Sequence, residues 1–399
     1  MKIFLPLTRA FSGRFLSAAG VIALSITMSR QLSLTEAGLF FEAFITLMGV
    51  AIAVQFGMPT VILRTVARLG DDPGEADAIL GRALASLCAI SGIVVALWLT
   101  FFYVTSGFHT PTAWVWLNIL PTAAMGPLSS YLKAKGYPGR GGFWEVGILS
   151  LIACGVMLVA PPKDAMTAWI VFSSACWVGM TAAVVLAGTR HFRPFVRPVL
   201  DIPLLFEGRF LWLMSVLAYM SLWGGVVISN WLLAESYTAV LNALFRTLAP
   251  LQFLILTVDF YMAPKFASAQ GLQLWKLYTK ARTTCTFMAL PYALLTLTFP
   301  SVFLSTVFGE SFAQFDTEMR LIVVAIMVQI ALGPTGILLN MHGLDRATLL
   351  CMVLRSTVYL ALSILLGLEF GVFGIAAALA VSTILQALVQ YSIAVKNFH

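Results

Sequence analysis

Asn242 and Arg246 lie four residues apart inside an otherwise apolar run, so on a helix they share one face. Arg246 sits about nine residues from the outer end of that run, too deep to snorkel with ease. A guanidinium held there offers two-pronged hydrogen bonds to phosphate oxygens and keeps its charge. Carboxylates occur in the same kind of setting. Glu42 leads a stripe with Thr46, Gly49 and Ala53 at helical spacing, Asp259 follows Gln252 by seven residues, and Glu145 stands about one turn from the edge of its run. A carboxylate inside a span faces the bundle interior or water, where it can exchange a proton or hold sodium, so all three are candidate gating or ion-coupling groups. Nothing in the sequence selects among them; Glu42 and Glu145 are also close enough to an edge to be simply hydrated. Tyr219 and Trp223 share a face with Trp212 and Ser215, an arrangement that stacks on sugars or packs against lipid and neighbouring helices. Arg14, about three residues inside the first apolar run, either snorkels to the inner interface or reaches a cavity.

The elements that must position these groups follow from composition. With 60% hydrophobic and 10% charged residues, the chain is a polytopic membrane protein, since soluble domains carry about 25% charge. Twelve apolar windows reach spanning length, at about 10–31, 38–64, 83–105, 112–132, 142–160, 165–188, 208–232, 237–262, 283–300, 317–340, 347–368 and 371–395. The fold expected is all-α and integral to the membrane, about 12 transmembrane helices in two six-helix bundles. Residues 190–209 separate the bundles (1–189 and 210–399). Arg190, His191, Arg193, Arg197 and Arg209, with Pro194, Pro198 and Pro203, bar this stretch from the bilayer and make it a cytoplasmic basic linker.

The halves repeat. A shift of 207 residues lays GPLSSYLKAKG (126–136) on GPTGILLNMHG (333–343), and shifts of 199 and 206 align Glu36 with Glu235 and Arg190 with Lys396. Both copies begin on the same side, which makes them parallel repeats with a substrate path between them. Pro121 and Pro127 in the fourth span, with Pro334 in its partner, mark expected bends, as does Pro59 in the second. If the second and eighth spans face each other, Glu42 and Arg246 pair when the outer side closes. With the N-terminus inside, 20 of the 24 Lys and Arg fall on inner ends and loops, so both termini are expected in the cytoplasm. The mixture of Lys265, Lys276, Lys280 and Arg282 with Trp275 and Tyr278 reads as an interfacial segment feeding the ninth span, not a nucleic-acid patch. The five cysteines are singly spaced within spans and read as structural thiols. No metal-binding, nucleotide-binding or Ser/His/Asp pattern is visible, and the outer loops are short, so an enzyme is not expected.

LSLTEAGLF (32–40), GMPTVILRTVAR (57–68), STVFGESFAQF (305–315) and GVFGIAAALAVSTIL (371–385) resemble signatures of the Wzx-type polysaccharide flippases. These O-antigen and exopolysaccharide exporters belong to the multidrug/oligosaccharidyl-lipid/polysaccharide superfamily, whose fold is MATE-like. The resemblance implies a multi-pass protein of the bacterial cytoplasmic (inner) membrane. It would flip undecaprenyl-pyrophosphate-linked oligosaccharide outward by alternating access, coupled to H+ or Na+, alongside a polysaccharide polymerase and export machinery. It implies no other cofactor. By the same similarity Arg14 and Arg246 are cavity cations, with Arg64 near the inner mouth. Two rival readings remain, a multidrug exporter of the same fold and a membrane glycan polymerase, ligase or transferase.

Overall fold

The computed structural model describes residues 4–69, 73–105, 108–188 and 199–398. No strand occurs among them. All but residues 190–198 of the basic linker is described, and the chain divides into two compact units, Met1–Val216 and Leu217–His399.

The first unit holds α1 (Phe4–Gln31), α2 (Leu34–Gln55), α3 (Met58–Arg68), α4 (Pro73–Thr105), α5 (Trp116–Ala134), α6 (Pro138–Phe143), α7 (Val146–Val159) and α8 (Ala165–Ala187), and the start of α9 (Ile202–Leu232). Small residues let α1 and α7 touch backbone to backbone: the Gly147 N–H donates to Ser17 Oγ at 3.1 Å, and a Cβ at Gly147 would overlap the Ser17 carbonyl. Phe40 of α2 packs edge-on with Trp169 and Phe172 of α8, and Phe44 edge-on with Phe172, a buried aromatic knot. Both helices are capped by side chains, Ser33 accepting from the Glu36 N–H and Asp164 from that of Thr167. Asp164 is exposed, and the Thr167 backbone N–H holds its carboxyl below the usual range.

The expected kink at Pro59 lies elsewhere. The second window breaks ahead of it, where Phe56 and Gly57 take left-handed φ of 46° and 74°, and Pro59 sits harmlessly in the first turn of α3. Gly57 meets the Gly208 carbonyl of α9, Phe56 stacks on Trp212 at 4.8 Å, and the Trp212 indole donates to Ala53 O at 2.9 Å.

Nor do Pro121 and Pro127 bend α5 out of helix. Each proline frees the carbonyl four residues before it, and each freed carbonyl is met by a side chain from another helix. Trp177 donates to Leu117 O at 3.2 Å, and Gln55 to Ala123 O at 2.9 Å.

The second unit continues with α10 (Glu235–Thr247), α11 (Ala249–Ser268), α12 (Gly271–Thr298), α13 (Pro300–Phe308), α14 (Asp316–Leu332), α15 (Thr335–Met341) and α16 (Asp345–Phe398). Here Pro334 does mark a break. Gly333 at φ 92° ends α14, and the Tyr278 hydroxyl donates to the Leu332 carbonyl left at that end. The interfacial segment does not merely feed the ninth span; residues 271–282 are the first three turns of α12 itself. At 54 residues α16 would run about 81 Å, far beyond a bilayer. It is two helices joined at Gly371 (φ 58°, ψ −130°), where the eleventh and twelfth windows meet. Among the described residues, and with α16 counted once, six helices can cross a membrane by length and apolarity, and eight if α10 with α11 and α12 with α13 each count as one bent span.

Candidate functional site

In the second unit α9 and α10 carry four of the candidate contact residues, Tyr219 and Trp223 on the one and Asn242 and Arg246 on the other. The Arg246 guanidinium lies over the Trp223 ring, its Cζ 4.5 Å from the centroid, and Trp223 in turn stands 5.9 Å from Phe245. Tyr219, one turn before Trp223 and buried, is near enough to Arg246 to interact electrostatically. Arg246 Nε is buried without a hydrogen bond. Asn242, one turn earlier on α10, is fully buried, and neither its amide nitrogen nor its oxygen has a partner. A buried amide and guanidinium with unused donors are costly to keep unless something accepts from them.

Asp259 belongs to a different place in the same unit. It lines a cavity of about 210 Å³ with Gln329, Thr335, Thr348, Gln386 and Gln390, beside the break at Gly333 and Pro334. One Asp259 carboxylate oxygen and the Thr348 hydroxyl are buried there without partners. Thr335 Oγ1 donates to Gln390 Oε1 at 3.3 Å, and Arg355 Nη1 to Gln386 Oε1 at 3.1 Å. Sequence reasoning missed this lining. Arg355 counts among the inner-end cations by sequence, yet it stands ten residues into its helix with its Nε buried and unpaired. Gln386 and Gln390, four apart in an apolar window, are the signal that could have found it.

The remaining candidates lie in the first unit. Glu42, Thr46, Gly49 and Ala53 form a half-buried stripe on α2, set apart from its buried Phe40, Phe41 and Phe44. Arg64 is half exposed and paired with Glu207 at 2.5 Å. Glu145 accepts from Lys133 at 2.6 Å just before α7. Arg14 lies in α1, but its side chain falls outside the described residues. Among the described residues no three His, Cys, Asp or Glu side chains gather as metal ligands would.

No protein-family model and no curated relative matches the chain. Solved structures do. The chain is similar over 99% of its length, and 88% of the other's, to the lipid II flippase MurJ in an inward closed conformation (TM-score 0.71, 12% identity). It is similar to an inward-facing multidrug resistance MATE transporter of the MOP superfamily (TM-score 0.68, 13% identity, 95% and 94% covered). The fold is MATE-like. A third neighbour is a MOP superfamily transporter from Pyrococcus furiosus (TM-score 0.63, 13% identity, 98% and 93% covered). At these identities the likeness carries the MATE-like and MurJ-like fold, and with it a multi-pass membrane architecture.

Proposed function

We propose that the chain is a flippase for an anionic lipid-linked glycan, an undecaprenyl-pyrophosphate-linked polysaccharide repeat unit carried from the inner to the outer leaflet by alternating access. The observation that carries this reading is Arg246, a cation fixed inside a span over Trp223, beside an Asn242 amide with nothing to bond. A pyrophosphate sugar cannot enter hydrocarbon, because unsatisfied polar groups there cost several kcal/mol each. A fixed guanidinium replaces part of the lost hydration, while Trp223 and Tyr219 offer faces for a sugar ring. The protein acts without covalent chemistry, in the bacterial inner membrane with both termini cytoplasmic, and hands its cargo to a polymerase and export machinery. Arg14 and Arg64 add positive charge toward the inner side. Asp259 is the favoured site for a coupling proton or sodium ion, with Glu42 and Glu145, the latter paired with Lys133, as the other gating carboxylates.

A second reading, a MATE-like multidrug exporter, is favoured by one observation: the Asp259 cavity is a carboxylate-bearing pocket that suits a small cation. Cells depleted of the protein distinguish the two. The flippase reading expects complete lipid-linked repeat units to accumulate on the cytoplasmic leaflet, with recovery by wild type and not by Arg246→Ala. Unchanged repeat units together with raised sensitivity to cationic drugs would overturn it in favour of efflux.

A further inference from the structure

The basic stretch that opens α12 plays no part in the transport reading, and its surroundings give it another use. The helix buries Leu274, Tyr278, Ala281, Cys285, Ala289 and Ala293 on one face. Its other face is exposed and changes character along its length. Lys276, Thr279, Lys280, Thr283 and Thr284 come first; Phe287, Met288, Leu294 and Leu295 follow. Counting back about 20 residues from Thr298 sets the hydrocarbon edge near Thr279, so the two lysines lie at headgroup level and the apolar residues at acyl-chain level.

Trp275, Lys276, Thr279, Lys280, Thr283 and Thr284 line a shallow groove of about 460 Å³ at that edge. Trp275 is held in place by packing against the buried cluster around Phe266 and Tyr278, its ring 5.0 Å from that of Tyr278. The Thr279 and Thr283 hydroxyls donate to backbone carbonyls of their own helix at 2.9 Å each, so the charged donors of the groove are the two exposed ammonium groups. No carboxylate occurs in the sequence between Asp259 and Glu310, a stretch that contains Lys265, Lys276, Lys280 and Arg282. Among the described residues neither Lys276 nor Lys280 forms an ion pair.

Two ammoniums one helical turn apart suit a phosphate diester, and the apolar face directly beyond suits the chains attached to it. A free phosphate would use only the first of these features. We propose that this face of α12 binds an anionic glycerophospholipid of the bilayer, its headgroup phosphate between Lys276 and Lys280 and its acyl chains along Phe287, Met288 and Leu294. This inference is independent of what the protein carries.

The test is lipid binding to the purified full-length protein by native mass spectrometry, with phosphatidylglycerol and phosphatidylcholine as probes. Wild type should hold phosphatidylglycerol in preference. Lys276→Gln with Lys280→Gln should weaken that binding by about 30-fold, the sum expected of two interfacial lysines. Lys276→Arg with Lys280→Arg should retain it, and Lys163→Gln, elsewhere on the surface, should leave it unchanged. Equal binding of the two lipids, or undiminished binding by the glutamine variant, would overturn the proposal. So would displacement of the lipid by an equal concentration of glycerol phosphate, since the groove would then recognise the free anion alone.

Discussion

Gln55 and Pro127 are complementary parts of one contact: the proline removes the N–H that would have bonded the Ala123 carbonyl, and the glutamine amide of another helix supplies a donor at 2.9 Å. Gly126 makes the room, since a Cβ there would come within 2.6 Å of the Gln55 amide nitrogen. Gln55→Leu should therefore destabilise the protein by about 0.6–2 kcal/mol. In a Pro127→Ala background the loss should shrink, because the substituted residue would bring its own backbone N–H to the carbonyl. Thermal unfolding of the four proteins of this cycle in detergent measures the coupling.

Gly147→Ala should be poorly tolerated, because its methyl group would overlap the Ser17 carbonyl and force α1 and α7 apart. Gly92→Ala, with nothing within 4 Å, should cost nothing or stabilise its helix by up to about 1 kcal/mol. Folded yield and melting temperature of the two variants, side by side, check the contrast.

Arg246→Lys keeps a charge and loses the planar fork and its stacking on Trp223. If the guanidinium grips phosphate oxygens, transport in the lysine variant should fall well below wild type yet stay above Arg246→Ala. Initial rates of lipid-linked saccharide translocation in proteoliposomes give the order; equal rates for lysine and arginine would mean that charge alone matters.

Asp259→Asn should abolish the dependence of transport on an imposed ion gradient while leaving exchange down the substrate gradient. Persistence of normal coupling would remove Asp259 as the ion site and return attention to Glu42.

Asp164 caps α8, and its carboxyl is held low by the Thr167 N–H. A depressed folded pKa contributes stability that is present above the ordinary carboxylate range near 3.8 and is lost as pH falls through the folded value. Asp164→Asn should keep the cap and remove that acid-side loss, and Asp164→Ala should cost about 1 kcal/mol at neutral pH. Melting curves between pH 3 and 7 separate the three proteins.

Each of the twelve apolar windows is mostly helix, with breaks inside some such as those at Phe56–Gly57 and Gly333–Pro334, because a run of that length and hydropathy has few other ways to satisfy its backbone. What the residues could not disclose was how a repeated motif is used. Gly126-Pro127 and Gly333-Pro334 align in the sequence, yet the first pair docks a glutamine within a continuous helix and the second ends one with Gly333 in the left-handed region. The difference lies in partners distant in sequence, Gln55 in one case and Tyr278 in the other. The site was legible in the same uneven way. Arg246 and Asn242 stood out because charge and amides are costly among apolar residues, whereas the cavity around Asp259 is assembled from α11, α12, α14, α15 and both halves of α16, whose glutamines and threonines are individually ordinary.

The meeting of Gly57 with Gly208 carries a mechanical meaning. Two backbones touch there with no side chain between them, and within a turn on either side Glu207 is tied to Arg64 and Trp212 to Ala53. A hinge built of side chains must repack whenever it swings; this joint has none to repack at its centre and is pinned at both flanks. The elbow between α2 and α3 and the first turns of α9 are thus joined as one part, so a movement of either would have to carry the other with it or break these contacts.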